Sequence, residues 1–309
     1  MPENRAFLPE GMRSVGTFSL QRLREATETK EIFEAVPDRC DTQQTLHFDL
    51  NGIRARMERR EAVAPWISGA ERDISVLSMV GKPVCFTVLS VNADEKGQPI
   101  AHLSRRMVQK RAMDTLLERL EPGMLLVCRV THLERFGAFV DIGCGIISML
   151  PIGNCSVSRI THPRERFTPG QRILAAVQSV DRERRRVTLT HRELLGTWME
   201  NASAFRPGET VRGIVRSVKP YGSFIELSPN LSGLTDQREG LRPGDGVSVF
   251  IKSIQPERMK IKLHVIGHLP PPAVPPLKYF VTDGQLDLWV YSPPNCEKRV
   301  ETVFTADGP

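Results

Sequence analysis

The stretch PGMLLVCRVTHLERFGAFVDIG (122–143) decides the reading of this chain, because PGETVRGIVRSVKPYGSFIELS (207–228) repeats its plan in different letters. Each opens on a Pro-Gly turn, runs through an apolar strand-like segment and arrives at an aromatic-Gly-small-Phe motif: Phe136-Gly137-Ala138-Phe139 in the first and Tyr221-Gly222-Ser223-Phe224 in the second. Each is followed by another Pro-Gly run, PGQRILAAVQSVDRERRRVTLTHREL (169–194) and PGDGVSVFIKSIQPERMKIKLHVI (243–266), with Gly170 matching Gly244. Self-similarity on this scale means one small unit written twice. Between Arg172 and Val180 apolar residues recur at period two with some infill, the pattern of a curled, mostly buried strand.

A fainter copy precedes these. GKPVCFTVLSVNADEKGQPIAHLSRR (81–106) matches the closing hairpins, and EAVPDRCDTQQTLHFDLNGIRARMERREAV (34–63) supplies three short β-like runs with turns near Asp41 and at Asn51-Gly52. Five short strands per copy fit a small closed Greek-key barrel, the OB-fold. The expected fold class is mainly β: tandem five-stranded OB-fold barrels joined by α-helical spacers.

The spacers are read from periodicity. RRMVQKRAMDTLLERL (105–120) places Met107, Met113, Leu116, Leu117 and Leu120 on one apolar face and stops at Pro122-Gly123. HRELLGTWMENASAF (191–205) plays the same part before Pro207-Gly208, and a further helix is expected over Leu20 to Phe33. HLPPPAVPPLK (268–278) is a semi-rigid Pro-rich linker, and KYFVTDGQLDLWVYS (278–292) reads as a hairpin turning at Asp283-Gly284 that docks on the third barrel or on a partner. The expected division is therefore an N-terminal segment and helix (1–35), a divergent barrel (36–106), a helical spacer (107–120), a barrel (121–192), a second spacer (193–206), a shortened barrel (207–267), and the linker with its hairpin (268–309).

Composition narrows the class. In 309 residues, 42 Lys+Arg face 36 Asp+Glu for a net charge of +6, and 40% of residues are hydrophobic, which argues against wholesale disorder or a collagen. No run approaches the ~20 apolar residues of a spanning helix, and MPENRAFLPEGMRS lacks the basic and apolar regions of a signal peptide, so a cytoplasmic protein without membrane contact is expected. The six cysteines, Cys40, Cys85, Cys128, Cys144, Cys155 and Cys296, make no CxxC and no zinc-ligand spacing, and are read as buried reduced thiols. There is no P-loop, GxGxxG after a strand, HExxH or GxSxG. Asp283 and Asp287 flank a turn, and His132, His162 and His191 are isolated and read as surface or barrel-edge residues. Neither an enzyme, nor a cofactor, metal or small-molecule substrate is expected.

The repeated motif carries the functional reading. An aromatic, a glycine, a small residue and a second aromatic set two rings on one side of a strand-like stretch, where the flat faces of bases can stack with little sequence preference, at about 1 to 3 kcal/mol per base. Cations for phosphate lie beside it: Arg135 next to Phe136, the hairpin arginines Arg182, Arg184, Arg185 and Arg186, and Lys219 next to the Pro220-Tyr221 pair. Phe in a small barrel is commonly core and an Arg-rich turn is commonly a solvated loop. Occurrence of the motif twice, at matching distance from a Pro-Gly strand start, favours the binding reading.

Residues 123 to 190 and 208 to 263 resemble the RNA-binding repeat of the ribosomal protein S1 family, carrying RFGAFVDIG, PYGSFIELS, Ser232-Gly233-Leu234 and DRERRRVTLT. TLHFDLNGIRARMERREAV with GKPVCFTVLSV resembles a divergent repeat, and the chain is similar in form to abbreviated S1-like proteins of Gram-positive bacteria. The resemblance implies a nucleic-acid face of two aromatics, a His, an Asp and a base. In the second repeat these are Phe136, Phe139, Asp181 and Arg186, with Pro151 at the His position; in the third they are Tyr221, Phe224 and Lys260, with Gln255 replacing the acid and Asp236 the His. It further implies single-stranded RNA as partner, messenger RNA in translation, at the small ribosomal subunit. The first repeat lacks the paired aromatics; its Arg54, Arg56, Arg59 and Arg60 offer phosphate contacts but are interleaved with Glu58 and Glu61, so it reads as a structural or protein-docking barrel ahead of an RNA reader. The second functional reading is a protein-interaction adaptor on ribosomal or regulatory proteins, with RNA contact vestigial.

Overall fold

The computed structural model describes residues 5–13, 17–67, 72–270, 274 and 276–305. The first residues of the N-terminal reading and the middle of the Pro-rich stretch lie outside them. The first unit holds β1 (Phe33–Ala35), β2 (Arg39–Cys40), β3 (Leu46–Leu50), β4 (Ile53–Met57), β5 (Val84–Ala93) and β6 (Pro99–Ser104). The second holds β7 (Leu125–Glu134), β8 (Gly137–Asp141), β9 (Ile147–Pro151), β10 (Arg172–Asp181) and β11 (Arg186–Thr190). The third holds β12 (Thr210–Lys219), β13 (Gly222–Ser228), β14 (Leu231–Thr235), β15 (Gly246–Gln255) and β16 (Lys260–Leu269), and β17 (Leu288–Val290) and β18 (Glu301–Val303) follow.

The tandem barrels are present: the second and third units close in the orders β10-β11-β9-β8-β7 and β12-β13-β14-β16-β15. Closure depends on a long first strand serving two neighbours. The first half of β7 pairs with β10, the second half with β8, and a bulge between Val130 and His132 bends the strand from one partner to the other. Apolar side chains from all five strands of the second unit point inward, so Val130, Ala138, Val140, Leu150, Val177 and Leu189 meet in one core.

The first unit departs from the expected five strands. Its six strands run β1-β5-β6-β4-β3-β2 and do not close by pairing. The long first strand is cut in two: β1 pairs with β5 and β2 with β3. Pro37 stands at the changeover and has no N–H to give a ladder, although its carbonyl still accepts from Gly81 at 3.1 Å. Phe33 therefore belongs to this unit; the helix expected to reach it spans Leu20–Thr29 and ends where Lys30 turns left-handed, its N–H on the Ala26 carbonyl.

The helix Arg105–Arg119 buries Val108, Ala112, Met113, Leu116 and Leu117. Met107 falls off the edge of this stripe and is exposed, contrary to its expected place on the face. The second spacer is not one helix. It is a 3-10 turn, Arg192–Leu195, and a short helix, Trp198–Ala202, separated at Gly196, where a Cβ would lie 2.6 Å from the Phe280 ring.

Direct contact between the barrels joins the spacer, whose Arg192 and Gly196 carbonyls accept from Asn230, in fixing the second barrel against the third. Glu226 accepts from Arg216 Nε at 2.8 Å and Nη2 at 3.0 Å and pairs with Arg166, while Arg216 also pairs with Glu165. Arg166 and Glu226 are 0% and 1% exposed. Ser158 and Ser232 hydroxyls meet at 2.8 Å, and Val157 N donates to Asn230 Oδ1 at 3.0 Å. Burial of two guanidiniums is tolerable only with such complete partnering. The chain from Tyr279 onward touches both barrels: Leu286 N donates to the Gly123 carbonyl, and Trp289, Tyr291 and Phe304 join the third barrel's core. The hairpin is not turned at Asp283-Gly284; β17 pairs with β18, and Gln285 bridges to Met124 instead.

Four cysteines, Cys85, Cys128, Cys144 and Cys155, are buried thiols as expected, whereas Cys40 and Cys296 are only partly covered. His191, expected at the surface or a barrel edge, is fully buried between Phe167 and Tyr279. Its Nδ1 lies 2.9 Å from the Cys155 carbonyl, which can only accept, so Nδ1 carries the proton and Nε2 accepts from the Tyr279 hydroxyl at 3.1 Å. Burial pushes the ring's pKa down to about 4. Above the ordinary value near 6.5 the ring is neutral in both folded and unfolded chains; between there and about 4 only the unfolded chain takes a proton, so stability falls as pH drops through that window. His191→Gln, which can keep one donor and one acceptor, removes this dependence. The stability gap between parent and variant, from urea unfolding at pH 7.5 and 4.5, should shift against the parent by about 2 to 3 kcal/mol at the lower pH; a gap independent of pH contradicts the burial of a neutral imidazole.

Candidate nucleic-acid interface

The aromatic pairs sit at the tight turns from β7 to β8 and from β12 to β13. Phe136 is 57% exposed and Tyr221 66%. Their strand partners Phe139 and Phe224 are half-buried, and the rings meet edge to face, 5.9 Å apart at 89° in the second barrel and 6.4 Å apart at 90° in the third. The two units thus build the same object. The glycine between the rings is required by close packing more than by turning: a Cβ on Gly137 would lie 2.6 Å from the Leu150 carbonyl oxygen, and one on Gly222, whose φ is +142°, would lie 2.2 Å from that of Thr235.

Cross-strand register extends each pair into a row on the barrel's outer face, since residues directly opposite share a face. In the second barrel the row is His132, Phe139, Met149, Thr188 and Ser179. In the third it is Ser217, Phe224, Leu234, Lys262 and Ser253. His132 is exposed, its ring centre 6.2 Å from that of Phe139 and its Nε2 2.6 Å from Glu134. Met149 is 37% exposed beside Phe139. Sequence reading left out His132, Met149 and Lys262. The alternation in Lys260-Ile261-Lys262 was the available signal for the last, whereas His132 faces outward only because of the bulge beside it.

The expected cations divide. Arg186 shares the outer face with Thr188, two residues along β11, and Lys260 shares it with Lys262; all but Thr188 are exposed. Arg184 is exposed and its backbone N–H is held by Asp181, whose carboxylate lies 3.7 Å from the Arg184 guanidinium. Lys219 is exposed at the end of β12. Arg182 instead donates to the Leu117 and Leu120 carbonyls at the end of the preceding helix. Arg185, expected at the interface, is turned to Asp114 at 3.0 Å and lies 5.0 Å over the Trp66 ring, tying the hairpin to the first unit. Arg135 points into a crevice of about 620 Å³ between the two barrels, which Arg164 and His162 also line.

Residues 119–192, the second barrel with the last residue of its leading helix, match the S1 RNA binding domain. A Bacillus subtilis (strain 168) protein named small ribosomal subunit protein bS1 homolog is 29% identical over 257 residues, 78% of this chain and 64% of its own length. Small ribosomal subunit protein bS1 of Staphylococcus aureus (strain COL) is 29% identical over 184 residues, 54% of this chain and 47% of its own length. The chain thus spans less than two thirds of each of these relatives. Among solved structures, a multidomain protein with nucleic acid binding domains from Streptococcus pneumoniae aligns with 75% of this chain and 72% of its own at 14% identity and a TM-score of 0.24.

Phe136 and Tyr221 project from turns that the barrel cores do not use. Phe136→Ala and Tyr221→Ala should each change unfolding free energy by no more than about 0.5 kcal/mol, whereas Gly222→Ala should cost about 1 to 3 kcal/mol from backbone strain. Urea titrations decide; a large loss at Phe136, or none at Gly222, contradicts this division between site and scaffold.

Proposed function

We propose that this chain, which belongs to the S1 family through its middle barrel, binds single-stranded RNA by stacking bases on Phe136 and Phe139 and on Tyr221 and Phe224. The observation that carries the reading is the repetition of one geometry: an exposed ring set edge-on to a half-buried ring, at the same turn of two barrels. His132 and Met149 widen the second barrel's surface, and Arg184, Arg186, Arg135, Lys219, Lys260 and Lys262 supply cations for phosphate. Loss of the family's His at Pro151 and Asp236 is offset in the second barrel by the His132 ring, which approaches Phe139 from the opposite strand.

The buried pairing of Arg166 and Arg216 with Glu226 holds the two surfaces in one orientation, so a strand bound to one meets the other at a fixed effective concentration rather than across a flexible tether. The names of the relatives support the small ribosomal subunit as the setting, and messenger RNA is the strand proposed for it.

Phe136→Ala should weaken binding of short single strands by about 1 to 3 kcal/mol, with the same loss for uridine-rich and adenine-rich sequences; unchanged affinity in filter binding excludes Phe136 from the surface. Arg186→Ala should reduce the slope of log affinity against log salt by about 0.7, the value for one phosphate contact on a single strand. An unaltered slope removes Arg186 from the interface.

A further inference from the structure

The first unit carries the same outer row in different chemistry. Arg39 pairs with His47, His47 with Arg56, Arg56 with His102 and His102 with Ser90. Each pairing matches its counterpart in the two barrels, down to the serine that follows a bulge in each copy: Val88/Ser90, Val177/Ser179 and Ile251/Ser253. Leu46, Phe48, Ala55, Met57, Ala101 and Leu103, which flank the row, are buried, so the row itself faces out. Arg39, His47, Arg56 and His102 therefore stand where the second barrel has His132, Phe139, Met149 and Thr188. His47 stands where the second barrel has Phe139, with Arg39 and Arg56 on either side of it.

Among the described residues, the ion pairs around the row leave two of its guanidiniums unengaged. Glu58 pairs with Arg60 at 3.0 Å, Asp73 with Arg59 at 2.7 Å, Glu61 with Arg106 at 2.7 Å, and Asp94 with Arg54. Asp41 is engaged by His47 at 2.8 Å. Among the described residues no ion pair engages Arg39 or Arg56; Arg56 Nε donates only to His102 Nδ1, at 3.4 Å. Next to the row opens a pocket of about 670 Å³ whose lining includes Arg56, Arg59, Arg60 and Arg106, with Glu58 the acid among them. Guanidinium forks suit phosphate oxygens. A protein-docking surface would instead be depleted of charge at its centre and would carry aromatic or aliphatic anchors; here only Val63 and Pro65 edge the pocket.

We propose that this face of the first unit is a phosphate-binding site that grips the backbone of single-stranded RNA without reading or stacking its bases. It rests on the RNA-binding reading above and replaces, for this unit, the expectation of a structural or docking barrel. Bases would be held on the second and third units and backbone on the first.

The test compares an oligouridylate with an abasic sugar-phosphate oligomer of equal length, each titrated with the full chain at several salt concentrations. The parent should bind both. R39Q/R56Q should weaken binding of the abasic oligomer at least tenfold and lower the salt slope by about 1.4 on both probes, two contacts at about 0.7 each. R39K/R56K, which keeps the charges, should retain most of the slope and guards against a folding defect in the glutamine variant. An unchanged affinity and slope for R39Q/R56Q, or failure of the parent to bind the abasic oligomer at low salt, overturns the proposal. A variant with Phe136, Phe139, Tyr221 and Phe224 all changed to Ala separates the two readings. If it loses oligouridylate affinity and keeps the abasic oligomer, both stand; if it keeps oligouridylate while R39Q/R56Q loses it, stacking fails and the phosphate grip stands.

Discussion

A barrel of five short strands has room inside for one set of alternate side chains, and every other residue must face outward. That constraint, together with a bulge at a fixed point of the first strand, determines what this chain can present. Val130 fills the second barrel and, after the bulge, His132 turns outward opposite Phe139; Val215 and Ser217 do the same opposite Phe224. The outer row is therefore a slot whose position the fold sets and whose chemistry the sequence is free to choose. Three copies chose differently: rings and a thioether in the second, a ring with Lys262 in the third, guanidinium and imidazole in the first.

Rigidity between copies comes from a second source. Arg166, Arg216, Glu165 and Glu226 form a connected ion-pair cluster at the seam of the second and third barrels, and residues of the chain from Tyr279 to Phe304 pack into the third barrel's core. On the other side, Glu10 joins the first unit to the second barrel: it pairs with Arg105 at 2.6 Å, accepts from Cys85 N at 3.0 Å and donates its own N–H to Asp141 at 2.7 Å. Burial alone would raise the Glu10 carboxyl, and Arg105 outweighs it and holds the group below the ordinary carboxylate range. Under the proposed binding, surfaces arranged in this way would act together because their spacing is already fixed.

Local and periodic features were legible in the sequence. Pro-Gly starts, period-two alternation and the repeated aromatic motif gave the barrels and placed Phe136 and Tyr221 at open turns. Contacts between distant segments were not. Nothing around Arg166 signals that its partner is Glu226, since each sits in an ordinary barrel segment and only the docking of two barrels brings them together. Asp283-Gly284 is a sound hairpin signal by composition, yet the strand it would have made is diverted to Met124 and Gly123 by tertiary pairing. His132 escaped because simple alternation from Val130 points it inward, and one extra residue at the bulge reverses that. The first unit has no paired rings in its sequence, and its outer row shows only through register, which sets Arg56 where the other two units have Met149 and Leu234.

Ultraviolet cross-linking of the full chain to uridine-rich RNA, with the modified peptides mapped by mass spectrometry, tests the account most directly. Adducts should concentrate in the turns containing Phe136–Phe139 and Tyr221–Phe224 and on His132. Cross-links confined to other faces, with both turns unmodified, would contradict the claim that the outward row is where bases are held.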